Sequence, residues 1–339
     1  MKILYYIPYP HSTGADHWIY EGWKGAFKDL GHEFFEATDY DDLKAKVELT
    51  NPDIFFVANL CDIVLKHSET LKWIRNKGIK IFLIVYWPLK KEEVKIIKEE
   101  EIADIYFGER EPESMVEFEK LTGRKYVLIP NAANKLLHFP TKPVKKYQYD
   151  VVYLGAKLPH KKWFTNNVLF PLTKKYNVGI FGPYWTLKDN LLRAGQKICR
   201  KIRFVKGADF FNKFRIIIPP EEENQLYSSA KICLNFHERE ADGSQPHYIL
   251  NQRTFKIPAC GGFEICDYVP ALRKYFFEDE VVMAALDPKD WFEKIDYYLT
   301  HEEERRKIQE KGTIRALKDH TYHNRVKQVV DLYYALING

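Results

Sequence analysis

The stretch KICLNFHEREADGSQPHYILNQRTFKIPACGGFEICD, residues 231–267, decides the fold. It opens on a short apolar run, Ile232 to Phe236, that turns polar at His237-Glu238-Arg239, the pattern of a buried parallel strand emerging into a loop. A loop with Gly243 and Pro246 follows. Apolar spacing then resumes through Leu250, Thr254 and Ile257, which predicts a short helix ended by Pro258 and Gly261-Gly262. Phe263 to Cys266 reads as the next strand. Strand, charged loop, basic helix, glycine turn and strand thus fall within forty residues, and open α/β sheets bind ligands where loops leave the carboxyl ends of strands.

The same rhythm extends in both directions. Upstream, Lys2–Tyr9, Glu33–Ala37, Asp53–Ala58, Lys80–Val85, Asp104–Phe107 and Lys125–Ile129 read as strands, separated by helical spacings at Trp18–Leu30, Ile63–Asn76, Lys91–Glu101 and Pro112–Leu121. Several of these helices stop at Gly31, Gly78 or Gly123. Such alternation predicts a parallel sheet flanked by helices, a Rossmann-like domain over 1–140. Pro140 to Lys146 is rich in proline and lysine and predicts a linker over 141–148. Alternation restarts with strands at Asp150–Gly155, Asn177–Gly182, Arg215–Ile218, Lys231–Phe236, Gly262–Cys266 and Val281–Ala284, giving a second Rossmann-like domain over 149–322. The chain after Asp290 reads as helical to its end.

At 339 residues the chain has room for two domains. Hydrophobic content of 45% with 15% aromatic residues excludes a disordered chain. A net charge of +5, from 52 basic and 47 acidic residues, admits a phosphate-bearing ligand without demanding nucleic acid. Five scattered cysteines (61, 199, 233, 260, 266) without a CxxC pair read as reduced core thiols. The apolar start, Ile3 to Ile7, is shorter than a signal-peptide core, and no run reaches membrane-spanning length. A cytoplasmic protein, free or peripheral to a membrane, is expected.

Arg253-Thr254-Phe255-Lys256-Ile257-Pro258-Ala259-Cys260-Gly261-Gly262-Phe263, with Leu234-Asn235-Phe236-His237 before it and Asp267 after, resembles the C-terminal signature of CgeB-like (spore-maturation-protein-type) glycosyltransferases. A weaker likeness continues through Tyr297-Tyr298-Leu299, Glu302-Glu303-Glu304-Arg305 and His320-Thr321-Tyr322-His323-Asn324-Arg325, so it spans roughly 226–332. The resemblance implies a GT-B architecture: two Rossmann-like domains facing a cleft, a nucleotide-sugar donor on the C-terminal one, and a last helix, 323–339, crossing back to the N-terminal one. It implies transfer of a sugar to an acceptor that the sequence leaves unidentified. A nonenzymatic nucleotide- or glycan-binding protein and a nucleic-acid-modifying glycosyltransferase are the alternatives.

Arg253, at a helix start behind a strand end, matches the family's arginine and is expected to hold the donor diphosphate. His237 and Arg239, at the end of an apolar strand, border the donor by the same resemblance. Lys161, in the glycine turn and helix start Gly155 to Lys162, is the lysine chosen to reach phosphate; solvated lysines are the ordinary outcome there. Gly261 and Gly262 either let backbone approach the donor or cap a helix. Asp267 either bonds the sugar or caps the following helix. Lys256 stands where many enzymes of this fold carry glutamate, and Tyr248 stands at that motif's other position, eight residues earlier. An ammonium donates and carries positive charge, so Lys256 is expected against a negative part of the donor, unless it turns to solvent.

The loop after the first strand, Pro8 to Trp18, faces the acceptor in a GT-B cleft, so Asp16 or His17 is the candidate base, with Asp62 in reserve. Each is equally readable as part of the helix start. Asp39-Tyr40-Asp41 fits the DxD pattern of metal-dependent transferases formally, but two acids ahead of a helix are expected as caps, and neither metal nor cofactor is expected. Trp87 and Trp185, at strand ends beside prolines, are the tryptophans expected to be exposed for stacking. Lys188 to Lys206 reads as a basic amphipathic helix, either a solvated face or a contact for anionic lipid, a lipid-linked acceptor or nucleic acid.

Overall fold

The computed structural model describes residues 1–8, 15–59, 62–215, 218–237 and 249–338, with backbone only at 15, 16, 212, 213, 220 and 221. The chain divides into two compact units, Met1–Asn131 with Tyr322–Gly339, and Ala132–Thr321.

In the first unit, β1 (Lys2–Tyr6), β2 (Glu33–Ala37), β3 (Ile54–Val57), β4 (Lys80–Ile84), β5 (Ile105–Gly108) and β6 (Tyr126–Leu128) form one sheet in the order β2-β1-β3-β4-β5-β6. All pairings are parallel. The central strands are near-continuous apolar runs because helices cover both of their faces: Ile54 to Val57 is buried throughout. The helices are α1 (Ala15–Asp29), α2 (Leu43–Thr50), α3 (Ile63–Asn76), α4 (Lys91–Glu99) and α5 (Val116–Thr122). Gly123 caps α5 with φ 70°, a left-handed conformation that costs glycine little. The last helix, α14 (Tyr322–Asn338), belongs to this unit. Tyr322 lies over Gly22 of α1, where an added Cβ would come within 2.2 Å of its ring. His323 Nε2 meets Asp29 at 2.8 Å, and Arg325 Nε donates to the Pro130 carbonyl at 3.0 Å.

The second unit opens with β7 (Val151–Leu154), then the short turns α6 (Lys162–Phe164) and α7 (Phe170–Leu172), and β8 (Val178–Phe181). Next come α8 (Leu187–Lys201), α9 (Val205–Arg215), α10 (Pro220–Ser229), β9 (Ile232–Asn235), α11 (Arg253–Ala259), β10 (Glu264–Asp267) and β11 (Val282–Ala284). Helices α12 (Pro288–Thr300) and α13 (Glu302–Asp319) complete it. Its five parallel strands run β11-β10-β9-β7-β8, so both sheets share the order second, first, third, fourth, fifth, to which the first sheet adds a sixth strand at its edge. That order reverses direction between first and third strands, and the crevice at such a reversal is where ligands seat in open α/β sheets.

Three expectations need correction. The break between units falls at Asn131, and residues 141–148 are no free linker: the amides of Thr141 and Val144 donate to Ser228 and Ser229 of α10, each at 2.9 Å, and Tyr147 is buried. Arg215 ends α9 instead of opening a strand, because its guanidinium is buried against Asp189 and Gln196 of α8. The basic helix over 188–206 is two helices, broken where Arg203 takes φ 56°. Among the described residues no helix is long and apolar enough to cross a membrane.

Candidate active site

The reversal point of the second sheet lies between β7 and β9, and Arg253 straddles it. Its Nη1 donates to the Leu154 carbonyl at the end of β7 at 2.8 Å, and its Nη2 to the Phe236 carbonyl just beyond β9 at 3.1 Å. Its guanidinium carbon stands 5.3 Å from the centre of the Tyr153 ring. The loop after β7 makes room for it: a Cβ on Gly155 would lie 2.0 Å from Nη1. Trp185 holds that loop by donating from Nε1 to the Gly155 carbonyl at 2.7 Å. Two strand ends and a third loop thereby fix the orientation of one cation.

Lys161 is buried at the end of the short turn Pro159–Lys161 that follows the β7 loop. Burial pushes the Tyr153 phenol up, yet the nearby Lys161 and Arg253 outweigh it and bring the group below its usual range. The buried phenol therefore reports a local positive potential at the carboxyl end of β7.

Beneath Arg253 runs a buried polar network. The Asp267 carboxylate, at the end of β10, accepts from the His237 backbone N–H at 2.7 Å and faces its Nδ1 at 2.9 Å; His237 Nε2 meets Thr254 Oγ1 at 2.8 Å. Asn235 donates to Glu264 Oε1 at 2.8 Å and accepts from Asn251 at 2.9 Å. Burial pushes Glu264 up to about 8, against the Asn235 hydrogen bond and Arg253. Its folded value lies above its unfolded one, so the folded state loses stability as pH rises from the ordinary carboxyl range toward 8. Glu264→Gln is accordingly expected to melt higher than wild type at pH 9 and to show a smaller advantage at pH 6. Parallel melting curves of the two proteins across that range would refute the assignment.

Lys161, Arg253, His237 and Asp267 are brought together. His237 and Asp267 are fully buried and bonded to each other, so Asp267 clamps β9 to β10 instead of capping the turn Pro270–Lys274, whose cap is Val269. Gly261 and Gly262 precede β10 and so lie at the amino end of the strand whose carboxyl end is Asp267. They close α11: Gly261, with φ 72°, donates to Pro258 and Gly262 to Ile257. The expectation that they approach the donor is corrected on that ground. Lys256 is corrected too, since its ammonium is buried in an ion pair with Glu223 of α10, which also faces His138 at 3.5 Å. Its negative partner is supplied by the protein. Arg239 and Tyr248 lie outside the described residues. Trp87 and Trp185 are partly buried against the cores of their own units.

In the first unit, Asp16 and His17 open α1 after β1, where backbone alone describes Asp16; the His17 ring packs edge-on against Trp18 at 5.0 Å. Asp62 pairs with Lys90 at 2.9 Å, and that hydrogen bond holds its carboxyl below the usual range, which makes it the poorer base. Asp39 pairs with Lys66 at 3.0 Å, and Asp41 accepts from the Thr38 amide and hydroxyl at 2.8 Å. Both acids of the DxD pattern are thus held by protein partners, but neither caps α2: that cap is Asp42, which accepts from the Lys44 and Ala45 amides. Sequence reading missed Tyr153, Asn235, Thr254 and Glu264; the legible signal was a carboxylate, Glu264, inside the apolar run Phe263 to Cys266.

Residues 166–331 match the family model described as glycosyl transferase-like. Over 331 residues the chain is 22% identical to spore protein CgeB of Bacillus subtilis (strain 168), covering 91% of this chain and 90% of that protein. The two matches together support a CgeB-like glycosyltransferase. The CgeB-like chain shares its fold with sucrose-phosphate synthase of Thermosynechococcus elongatus, at a TM-score of 0.65 and 13% identity over 100% of this chain and 99% of that one. It also superposes on Anabaena HepE, solved in complex with UDP-glucose, at a TM-score of 0.63 and 14% identity over 99% and 100% of the two chains. Both likenesses establish the two-domain α/β GT-B fold of the CgeB-like chain.

Proposed function

We propose that this glycosyltransferase takes a nucleoside-diphosphate sugar as donor, with the diphosphate seated at the β7/β9 reversal point against Arg253 and Lys161. The observation that carries the reading is the Arg253 guanidinium held by two strand-end carbonyls beside a buried lysine. Two fixed cations at one spot favour the charge that develops on a departing diphosphate, and preorganised charge lowers the barrier without rearrangement. HepE, with the same fold, binds UDP-glucose, which supports a uridine nucleotide among the donors. The His237–Asp267 pair shapes the floor of the site. Asp16 or His17, opening the helix after β1, takes the acceptor's proton; replacing the one that does so lowers kcat with little effect on donor affinity. The acceptor is a glycan, a lipid-linked sugar or another hydroxyl-bearing molecule.

The test is a thermal-shift screen of nucleoside diphosphates and their sugars followed by an assay for released nucleotide. Donor binding raises the melting temperature by mass action. Failure of every nucleotide to stabilise the chain would overturn the reading, and stabilisation without nucleotide release in the presence of any acceptor or water would reduce it to binding alone.

A further inference from the structure

Helices α8 and α9 form a hairpin whose inner side is locked and whose outer side is apolar. Inside, Arg215 donates to Asp189 at 2.8 Å and to Gln196 at 2.7 Å, and Gly195 leaves space for the Phe211 ring, which a Cβ would meet at 2.5 Å. Outside, Leu187, Leu191, Ile198 and Ile202 recur at spacings of four, seven and four, which puts them along one face of α8 and its end. Phe210 and Phe214 of α9 are both exposed, their rings tilted against each other 4.9 Å apart. Exposure of these side chains runs from 54% at Phe214 to 85% at Leu187, far beyond what a solvated helix of a monomer requires.

Charge on the hairpin is one-sided. Lys188, Lys197, Lys201 and Lys206 are exposed, whereas Asp189 is buried under Arg215 and Asp209 is half-buried.

We infer that the outer face of the α8–α9 hairpin docks on an anionic membrane surface, lying in the interface with its leucine, isoleucine and phenylalanine side chains among the acyl chains and its lysines at the phosphate level. The two properties together select this occupant. A second copy related by a twofold axis would set the same lysines against one another. A nucleic acid would satisfy the lysines but leave six large apolar side chains against phosphate and water. A leaflet of acidic lipid offers hydrocarbon to one set and negative charge to the other.

The test is sedimentation of the full chain with phosphatidylcholine vesicles, with and without phosphatidylglycerol. Binding is expected only with phosphatidylglycerol and is expected to weaken as salt screens the lysines. The pair Lys197→Gln with Lys201→Gln, and separately the pair Leu191→Ser with Ile198→Ser, should each weaken it about 30-fold. All four positions are exposed, so melting temperature and nucleotide binding should hold, which keeps failure here distinct from failure of the donor reading. Absence of binding to phosphatidylglycerol vesicles at low salt overturns the inference, as does equal binding by both double variants. A salt-sensitive shift on duplex DNA, or a dimer that the serine variant dissociates, overturns it when found without vesicle binding.

Discussion

Arg253→Ala is expected to weaken nucleoside-diphosphate binding roughly tenfold to a hundredfold, the effect of losing charge-assisted hydrogen bonds that contribute about 1.5 to 3 kcal/mol. Because the side chain also bonds the carbonyls of Leu154 and Phe236, the substitution frees two strand ends, and some loss of thermal stability should accompany the loss of affinity. Arg253→Lys should rescue little, since one ammonium on a flexible stem does not reproduce a planar fork that bridges two carbonyls. Gly155→Ala offers an independent route to the same end. It leaves the arginine in place but sets a methyl group 2.0 Å from Nη1, so the guanidinium must move. Calorimetric titration with UDP and with UDP-sugars decides the matter: wild-type affinity in a folded Arg253→Ala protein would remove this residue from the donor site.

Lys256→Glu is expected to unfold the protein rather than to alter its donor affinity. The Lys256 side chain is 7% exposed and its Glu223 partner 4%, so the substitution buries two facing carboxylates. Breaking a buried pair in this way costs about 3 to 5 kcal/mol, a large share of the stability of an ordinary domain. Replacing both members, Lys256→Met with Glu223→Gln, should recover most of the loss because no uncompensated charge remains. Acid should distinguish the same proteins. Burial opposes ionisation of Glu223, but Lys256 and then His138 overcome it and hold the carboxyl at about 2. A depressed carboxyl contributes stability that is complete above its unfolded value of 4.5 and is lost as pH falls toward about 2. Burial lowers His138 as well, so acid penalises both groups in the same direction. The double variant should therefore acid-unfold less steeply than wild type. A folded Lys256→Glu protein of normal urea midpoint with weakened donor binding would restore the phosphate contact.

That contrast shows where sequence reading stops. The strands were legible because a parallel strand covered on both faces must be an apolar run, and Ile54 to Val57 or Ile232 to Asn235 has few other uses. Arg253 stood out because it opens a helix behind a strand end and matches the arginine of the CgeB-like signature. Lys256 was expected against a negative part of the donor or in solvent; the letters could not say that Glu223, in another helix, is the anion it meets. His237 and Asp267 likewise lie thirty residues apart and meet only because β9 and β10 are neighbours in the sheet. The break at Arg203 left no glycine or proline as a sign, since the left-handed turn falls on an arginine.

Because α14 completes the first unit, the two units do not finish on the ribosome in the order in which they begin. The second unit is one uninterrupted stretch, so all of its strands and helices are available as soon as Thr321 has left the exit tunnel. The first unit starts earlier but is finished later: the side of α1 that carries Gly22 and Trp23 stays without its Tyr322 lid until the closing helix leaves the exit tunnel. Vectorial synthesis thus reverses the apparent order of the chain, with the internal unit able to mature first and the N-terminal sheet held in waiting. Pulse-chase proteolysis of stalled nascent chains would register this as protection of 132–321 before protection of the first hundred residues or so.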